Sequence, residues 1–183
     1  EPFLAAVRLL CDMLPQRRIR ALIPCVNAAR RSQIEALLPK FADLSVNLVD
    51  NDTRSALVAA NAAMIKSGTS TLEAMLLGRP MVVSYKLGSF SYRIASRLVD
   101  TPYIALPNIL AGEELVPELI QDAATPEALA RALLPLLDED HESARRAGVF
   151  AEMHRQLRDG ASGHGANATA ALEISRLLSA HKR

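Results

Sequence analysis

The stretch Ser67-Gly-Thr-Ser-Thr-Leu-Glu-Ala-Met-Leu-Leu-Gly-Arg-Pro-Met81 decides the fold, because it predicts a strand, a tight turn and a helix. The short apolar run at residues 62–65 is typical of a buried strand. Leu72, Met75 and Leu76 then recur at helical spacing, Gly78 closes the helix, and Pro80 begins the next strand. The rest of the chain can be arranged around this turn.

The same turn is a candidate anion site. The first backbone N–H groups of a helix lack intrahelical partners, and the positive end of the helix dipole lies beside them, so a phosphate or diphosphate is favoured there. The hydroxyls of Thr69, Ser70 and Thr71 add donors. The alternative is a capping box, in which Ser70 and Glu73 satisfy each other's backbone N–H groups. A cap needs one hydroxyl and this turn offers four, counting that of Ser67, which favours a ligand site, although both interpretations stay open.

Composition predicts one globular domain without affinity for nucleic acid. The chain has 183 residues, of which 50% are hydrophobic and 22% charged, enough to bury about 70% of the unfolded surface. Its 21 basic and 20 acidic residues give a net charge of +1, and seven aromatics make no stacking platform. No apolar run reaches about eighteen residues, and no signal-peptide pattern is present. We therefore expect a cytoplasmic protein.

The cysteines and histidines predict neither a disulfide nor a metal site. Cys11 and Cys25 lack Cys-x-x-Cys spacing, and the four histidines share no ligand spacing. We expect free thiols in a reducing compartment, no metal and no cofactor.

Strand and helix patterns alternate along the first two thirds of the chain. Strands are predicted at residues 19–26, 44–49, 62–65, 80–85 and 103–106, and helices at 3–14, 90–99, 142–157 and 167–178. Three further helices have predicted caps: Asn27 for a helix that reaches Leu38, Asp52 or Thr53 for a helix that carries Leu57 and Val58, and Thr125 for residues 127–137. This alternation predicts the α/β class with a doubly wound, mostly parallel sheet and a helical C-terminal tail. Ligands of such folds bind beyond the carboxyl ends of the strands. Four polar turns fall there: Val49-Asp50, Ser67-Gly68, Tyr85-Lys86 and Pro107-Asn108.

Two features concern the organisation of the chain. The pattern opens on a helix, whereas a doubly wound unit starts with a strand, so we expect a strand and its loop to precede Glu1. Residues 1–157 are then a Rossmann-like domain lacking its first strand, and residues 158–183 are a hinge and a C-terminal helix. Pro24 within residues 19–26 indicates either a strand end or an edge position.

Four segments together resemble one family. They are Ile23-Pro-Cys-Val-Asn-Ala-Ala-Arg-Arg31, Lys66-Ser-Gly-Thr-Ser-Thr-Leu-Glu-Ala-Met75, Gly78-Arg-Pro-Met-Val-Val83 and Tyr103-Ile-Ala-Leu-Pro-Asn-Ile-Leu-Ala-Gly112. In this order they resemble the carboxyl-terminal half of bacterial lipid-A-disaccharide synthases, which are GT-B glycosyltransferases, over nearly the whole chain. Other GT-B enzymes share the Ser-Gly-Thr-x-x-Leu-Glu element in outline, whereas its pairing with residues 106–112 is far more specific.

The resemblance implies a reaction. The family transfers 2,3-diacylglucosamine from its uridine diphosphate (UDP) derivative to 2,3-diacylglucosamine 1-phosphate and forms a β-1,6-linked disaccharide. Catalysis takes place between two Rossmann-like halves, and the general base is expected in the amino-terminal half, so these residues alone should not turn over. The resemblance also implies a metal-independent site.

The resemblance also implies site residues. Ser67, Gly68 and Thr69 would meet the diphosphate, Glu73 the ribose hydroxyls, and Asn108 the phosphates or donor sugar. The turn at Val49 and Asp50 occupies the place of the uracil site, and Tyr85 and Lys86 are further candidates for contact with the donor or its acyl chains.

A homodimer is implied, formed by exchange of the C-terminal helix after the Gly-rich residues 160–165, as is peripheral contact with the inner membrane. Two alternatives stay open: another GT-B enzyme that uses a UDP-sugar, such as a hexosaminyltransferase or epimerase, and a non-enzymatic doubly wound binding module.

Overall fold

Helices and parallel strands alternate in the computed structural model, which describes residues 1–86, 102–138, 141–159 and 165–180. The strands are β1 (Arg20–Cys25), β2 (Ser45–Asp50), β3 (Ala63–Lys66), β4 (Met81–Tyr85) and β5 (Glu118–Ile120). The α-helices are α1 (Pro2–Met13), α2 (Ala28–Glu35), α3 (Thr53–Ala59), α4 (Thr69–Leu76), α5 (Leu106–Ala111), α6 (Pro126–Leu133), α7 (His141–Asp159) and α8 (Gly165–Ala180). Short 3-10 helices span Leu38–Phe41, Gln121–Ala123 and Leu134–Leu137.

The described strands form two parallel sheets. β1 pairs with β2, from Arg20 opposite Ser45 to Cys25 opposite Asp50. The second sheet has the order β3-β4-β5, with Ala63 opposite Met81. The α/β class and the parallel strand direction are thus confirmed.

Helices cover both faces of β4. Because successive side chains of a strand point to opposite faces, Met81 and Val83 pack on one side and Val82 on the other. Met81 and Val83 belong to a buried cluster with residues of α4 and α7, including Phe150. Val82 belongs to a second cluster with residues of α1 and α6. The three-stranded sheet is therefore the middle layer of three.

Side chains at the starts of three helices fix their positions. The Asn27 side chain accepts a hydrogen bond from the backbone N–H of Arg30, Asp52 caps α3 and Thr125 caps α6 in the same way. Each such cap stabilises a helix by about 1 kcal/mol. The predicted caps at Asn27 and Thr125 are confirmed, and of the two candidates for α3, Asp52 and Thr53, the cap is Asp52.

The strand predicted at residues 103–106 is wrong. Leu106 begins α5, with Pro107 in its first turn and Gly112 in the left-handed conformation at its end (φ 71°). Proline fits a helix start because the N–H that it lacks would have no partner there. The fifth strand is Glu118–Ile120, and the helix predicted at residues 90–99 lies outside the described residues.

Both cysteines are free thiols; Cys25 is buried and Cys11 is partly buried. None of the described helices is both long and apolar enough to cross a membrane. In the described part of the chain, no His, Cys, Asp and Glu side chains cluster in a way that would hold a metal ion.

Candidate functional site

The turn between β3 and α4 has a backbone shape that only glycine adopts readily. Gly68 has φ 156° and ψ −167°, in a region essentially reserved for glycine, and it is the N-cap residue of α4. Glycine has no side chain with which to cap the helix, and α4 accordingly has no side-chain cap hydrogen bond. The N–H groups of the first turn of α4 are therefore not taken by a capping side chain.

The capping-box interpretation is wrong. Helix α4 begins at Thr69, so Ser70 lies inside the first turn rather than at the N-cap position. The spacing of Ser70 and Glu73 matched a capping box, but the N-cap residue is Gly68, two positions before Ser70. Glu73 is exposed, and its carboxylate contacts no hydrogen-bond donor among the described residues.

The hydroxyls of the turn divide into two kinds. Thr71 is fully buried and its Oγ1 donates to the carbonyl of Gly68 at 2.7 Å, so it shapes the turn. Ser67 is partly buried and donates to the carbonyl of Ile104 at 3.0 Å. Thr69 is exposed and Ser70 partly so, and neither side chain has a hydrogen-bond partner within the ranges that the structure describes. Thr69 and Ser70 are thus the hydroxyls open to a ligand.

A partly buried carboxylate holds the segment that receives Ser67. Glu118 of β5 accepts hydrogen bonds from the backbone N–H groups of Ile104 and Ala105 at 2.8 to 3.1 Å. The carbonyl of the same Ile104 receives the hydroxyl of Ser67. The position of Ser67 is therefore linked to β5 through one peptide unit.

Asn108 lies inside the protein with all its polar capacity used. Its Oδ1 accepts from the backbone N–H groups of Leu115 and Val116, each at 2.9 Å. Its Nδ2 donates to the carbonyl of Val116 and to Glu118 Oε1, each at 2.8 Å. Asn108 is 0% exposed, so its amide fixes the loop between α5 and β5 and has no atom left for a ligand in this conformation. Its contact with a donor stays a prediction.

The candidate residues on β2 belong to the other sheet. Asp50 is exposed and receives two hydrogen bonds from Arg31 Nη1, at 2.8 and 2.9 Å. These bonds raise the pKa of Arg31, whose Nε also contacts Glu35. Val49 is partly buried. Both residues lie at the carboxyl end of their strand as predicted, and the hydrogen bonds of Asp50 are made to α2.

The carboxyl end of β4 lies beside the turn. The N–H of Ser67 donates to the carbonyl of Ser84 at 3.0 Å, so the backbone of β4 adjoins the start of the turn. Tyr85 is half-buried and Lys86 exposed. A cleft of about 1330 Å³ opens here. Lys86, Ser70 and Lys66, the last residue of β3, are among the residues that line it. Sequence reasoning missed Lys66, although a lone cation that ends an apolar strand just before Ser67 was a usable signal.

The comparisons with known proteins point to one family. A family model described as lipid-A-disaccharide synthetase matches residues 1–172. Lipid-A-disaccharide synthase of Pseudomonas putida (strain W619) is 48% identical over 170 residues, which cover 93% of this chain and 44% of that protein. The enzyme of Pseudomonas aeruginosa (strain LESB58) is 51% identical over 150 residues (82% and 39%), and that of Sodalis glossinidius (strain morsitans) 47% over 171 residues (93% and 44%). The chain thus spans less than half the length of these relatives.

Proposed function

Because the chain belongs to the lipid-A-disaccharide synthetase family, we propose that it forms the UDP-sugar-binding half of a glycosyltransferase of lipid A biosynthesis. The complete enzyme transfers 2,3-diacylglucosamine from its UDP derivative to 2,3-diacylglucosamine 1-phosphate. The general base belongs to the other half, in the GT-B arrangement of two Rossmann-like domains. The residues of this chain bind and orient the donor.

The turn at residues 67–69 carries the proposal, because it offers donors where the leaving diphosphate gains charge. The start of α4 presents backbone N–H groups and the positive end of the helix dipole. Thr69 and Ser70 add hydroxyl donors, and Lys66 and Lys86 add cations on the cleft that Ser70 lines. Preorganised donors of this kind stabilise charge that develops on the β-phosphate as the sugar departs.

Glu73 is proposed to bind the ribose. It lies four residues after Thr69 and three after Ser70, so the three side chains share one face of α4. A diphosphate at the helix start would place the attached ribose about one turn along that face. A carboxylate that accepts two ribose hydroxyls makes charge-assisted bonds, which are about twice as strong as neutral ones.

The remaining candidates take supporting roles. Val49 and Asp50 are proposed to receive the uracil, and Tyr85 the donor sugar or an acyl chain. Asn108 is proposed to act on the donor through the loop that it holds. We place the complete protein on the cytoplasmic side of the inner membrane, in peripheral contact with it, since both substrates carry acyl chains.

The test is calorimetry with UDP on the full-length protein. UDP should bind more tightly than the nucleoside uridine and more tightly than adenosine diphosphate. Glu73→Ala should weaken UDP binding by about 1 to 3 kcal/mol and leave the melting temperature unchanged. Glu127→Ala is the matched control, since Glu127 is also exposed on a helix, and it should leave affinity unchanged. Equal affinity for the three ligands would contradict the proposal.

We also propose that the tail forms a homodimer. Four apolar side chains of α8 are 49% to 66% exposed: Leu172, Ile174, Leu177 and Leu178. The hinge predicted before this helix falls mainly on residues 160–164, which lie outside the described residues. Removing residues 160–183 should halve the mass measured by light scattering. An unchanged mass would exclude the tail as the dimer contact.

A further inference from the structure

Two candidate residues of the donor site, Ser67 and Asn108, are connected by the carboxylate of Glu118. Glu118 Oε1 accepts hydrogen bonds from Asn108 Nδ2 and from the backbone N–H of Ala105, each at 2.8 Å. The carbonyl of Ile104 belongs to the same peptide unit as that N–H, and it accepts the Ser67 hydroxyl at 3.0 Å. Glu118 therefore holds Asn108 directly and holds Ser67 through a single peptide unit.

Glu118 does for the segment before α5 what a neighbouring strand would do. Residues 102–105 belong to no strand, so the N–H groups of Ile104 and Ala105 have no partner in a sheet. Both donate to Glu118 instead, at 2.8 to 3.1 Å. Hydrogen bonds to a carboxylate are about twice as strong as those between neutral groups. The path of this segment therefore depends on one side chain.

Ser67 has no hydrogen-bond donor left for a diphosphate in this conformation. Its N–H donates to the carbonyl of Ser84, and its hydroxyl donates to the carbonyl of Ile104, each at 3.0 Å. A serine carries one backbone N–H and one hydroxyl hydrogen, so both of its donors are used within the protein. Because a bound diphosphate needs donors, Ser67 can act on it only by fixing the position of Gly68 and Thr69, the residues that begin α4.

We propose that Glu118 is a positioning residue for the donor-binding turn, an inference that rests on the function proposed above. Glu118 fixes the peptide unit between Ile104 and Ala105, this peptide unit fixes Ser67, and Ser67 fixes the N–H groups at the start of α4. Donors stabilise developing charge most when they are already aimed at it. A displacement of about 1 Å in such a site can cost about a hundredfold in rate.

The first test is calorimetry with UDP on the full-length protein and its Glu118→Gln variant. Glutamine keeps the shape of the side chain but removes its charge and one of its two acceptor oxygens. We expect the Kd for UDP to rise about tenfold. Glu114→Gln is the matched control, because Glu114 is exposed on the same loop and forms no hydrogen bond or ion pair within the described part of the chain. Its Kd should equal that of the unaltered protein.

The Kd separates a positioning role from a purely structural one. A purely structural loss would lower the melting temperature and the fraction of protein that binds, while the folded fraction would keep the Kd of the unaltered protein. A double-mutant cycle with Ser67→Ala then tests the route of the effect. If Glu118 acts through Ser67, the two substitutions together should weaken UDP binding little more than Glu118→Gln alone.

Amide hydrogen exchange in the unaltered full-length protein decides the question even if Glu118→Gln does not fold. Coupling between sites is reciprocal, so UDP bound at the turn must stabilise the network that positions the turn. UDP should slow exchange of the amides of Ile104 and Ala105 at least about threefold more than that of Leu129. Leu129 is the control because its amide donates to the carbonyl of Thr125, in the layer on the opposite face of the sheet.

Three results would overturn the inference and leave the proposed function standing. They are an unchanged Kd for UDP in a folded Glu118→Gln variant, fully additive effects of Glu118→Gln and Ser67→Ala, and equal slowing of the Ile104 and Leu129 amides by UDP. If the unaltered protein does not prefer UDP to adenosine diphosphate, the proposed function fails, and this inference fails with it.

Discussion

The three-stranded sheet is packed on both faces, whereas the two-stranded sheet is half exposed. In β4 the side chains from Met81 to Ser84 are all buried. In β1 only Cys25 is buried, and none of the six residues of β2 is. The candidate donor turn follows β3, so it is built on the better packed of the two sheets.

The difference follows from the neighbours of each sheet. β4 has a strand on either side and helices on both faces, so it loses almost all contact with water. β1 has a strand on one side and the cleft on the other. The free energy of unfolding should therefore depend much more on the three-stranded sheet, and on the loop between α5 and β5, than on the two-stranded sheet.

The largest effect is expected at Asn108. Asn108→Ala leaves the backbone N–H and the carbonyl of Val116 buried without partners, and each such group costs about 1 to 3 kcal/mol. The N–H of Leu115 loses Asn108 but keeps the carbonyl of Glu113, at 3.1 Å. We expect the free energy of unfolding, measured with urea, to fall by about 3 to 5 kcal/mol. Asn47→Ala in β2 is the control: Asn47 is exposed, and its loss should change stability by less than about 0.5 kcal/mol.

The opposite outcome is equally informative. If Asn108→Ala leaves the urea midpoint unchanged but weakens UDP binding, Asn108 contacts the donor as the resemblance implies, and the amide network contributes little to stability. If Asn47→Ala destabilises as much as Asn108→Ala, the two sheets do not differ as their burial indicates.

The same substitution, valine to alanine, can be made in each sheet, so the two sheets can be compared directly. Val83→Ala removes a fully buried side chain from β4 and should cost about 2 kcal/mol, from lost transfer energy plus a small cavity. Val46→Ala at a half-buried position of β2 should cost less than about 1 kcal/mol. Urea unfolding of both variants measures the contrast, and equal losses would contradict it.

The sequence predicted β1 to β4 because each is an apolar run with a turn signal at its end, and it predicted three caps from single polar residues. It could not predict β5, because Glu118–Ile120 is only three residues long and too short to show a period. Pro107 was misread because proline suits both the end of a strand and the first turn of a helix. The pairing of strands into two sheets depends on contacts between distant residues, which no local pattern reports.

The candidate site was predicted only in part, because some of its contacts also join residues that are distant in sequence. The turn at residues 67–69 has a local signal, and the structure places it between β3 and α4 as expected. The network of Glu118, Ile104 and Ser67 joins segments that are 14 and 37 residues apart, so spacing along the chain gave no sign of it. The burial of Asn108 likewise comes from the fold and not from its neighbours in sequence.

The smallest effect is expected at the surface ion pair that ties α1 to the segment before β2. Arg8 donates to both carboxylate oxygens of Asp43, at 2.6 and 2.8 Å, and its guanidinium lies 4.7 Å from the ring centroid of Phe41. The hydrogen bonds from Arg8 lower the pKa of Asp43 below its usual value of about 3.9. Both side chains are about half exposed, so the pair should contribute less than Asn108 or Val83.

The sign of its pH dependence is set by that lowered pKa. The stabilisation from Asp43 should be fully present above the unfolded-state pKa of about 3.9 and should be lost as the pH falls through the lower folded-state value. Asp43→Asn should therefore be less stable than the unaltered protein at pH 6, and the difference should shrink on acidification. Asp122→Asn is the control, since Asp122 is exposed and forms no ion pair among the described residues. A difference for Asp43→Asn that stays constant from pH 6 to pH 2, measured by urea unfolding, would mean that packing of Arg8 on Phe41, and not the charge of Asp43, holds α1 to the two-stranded sheet.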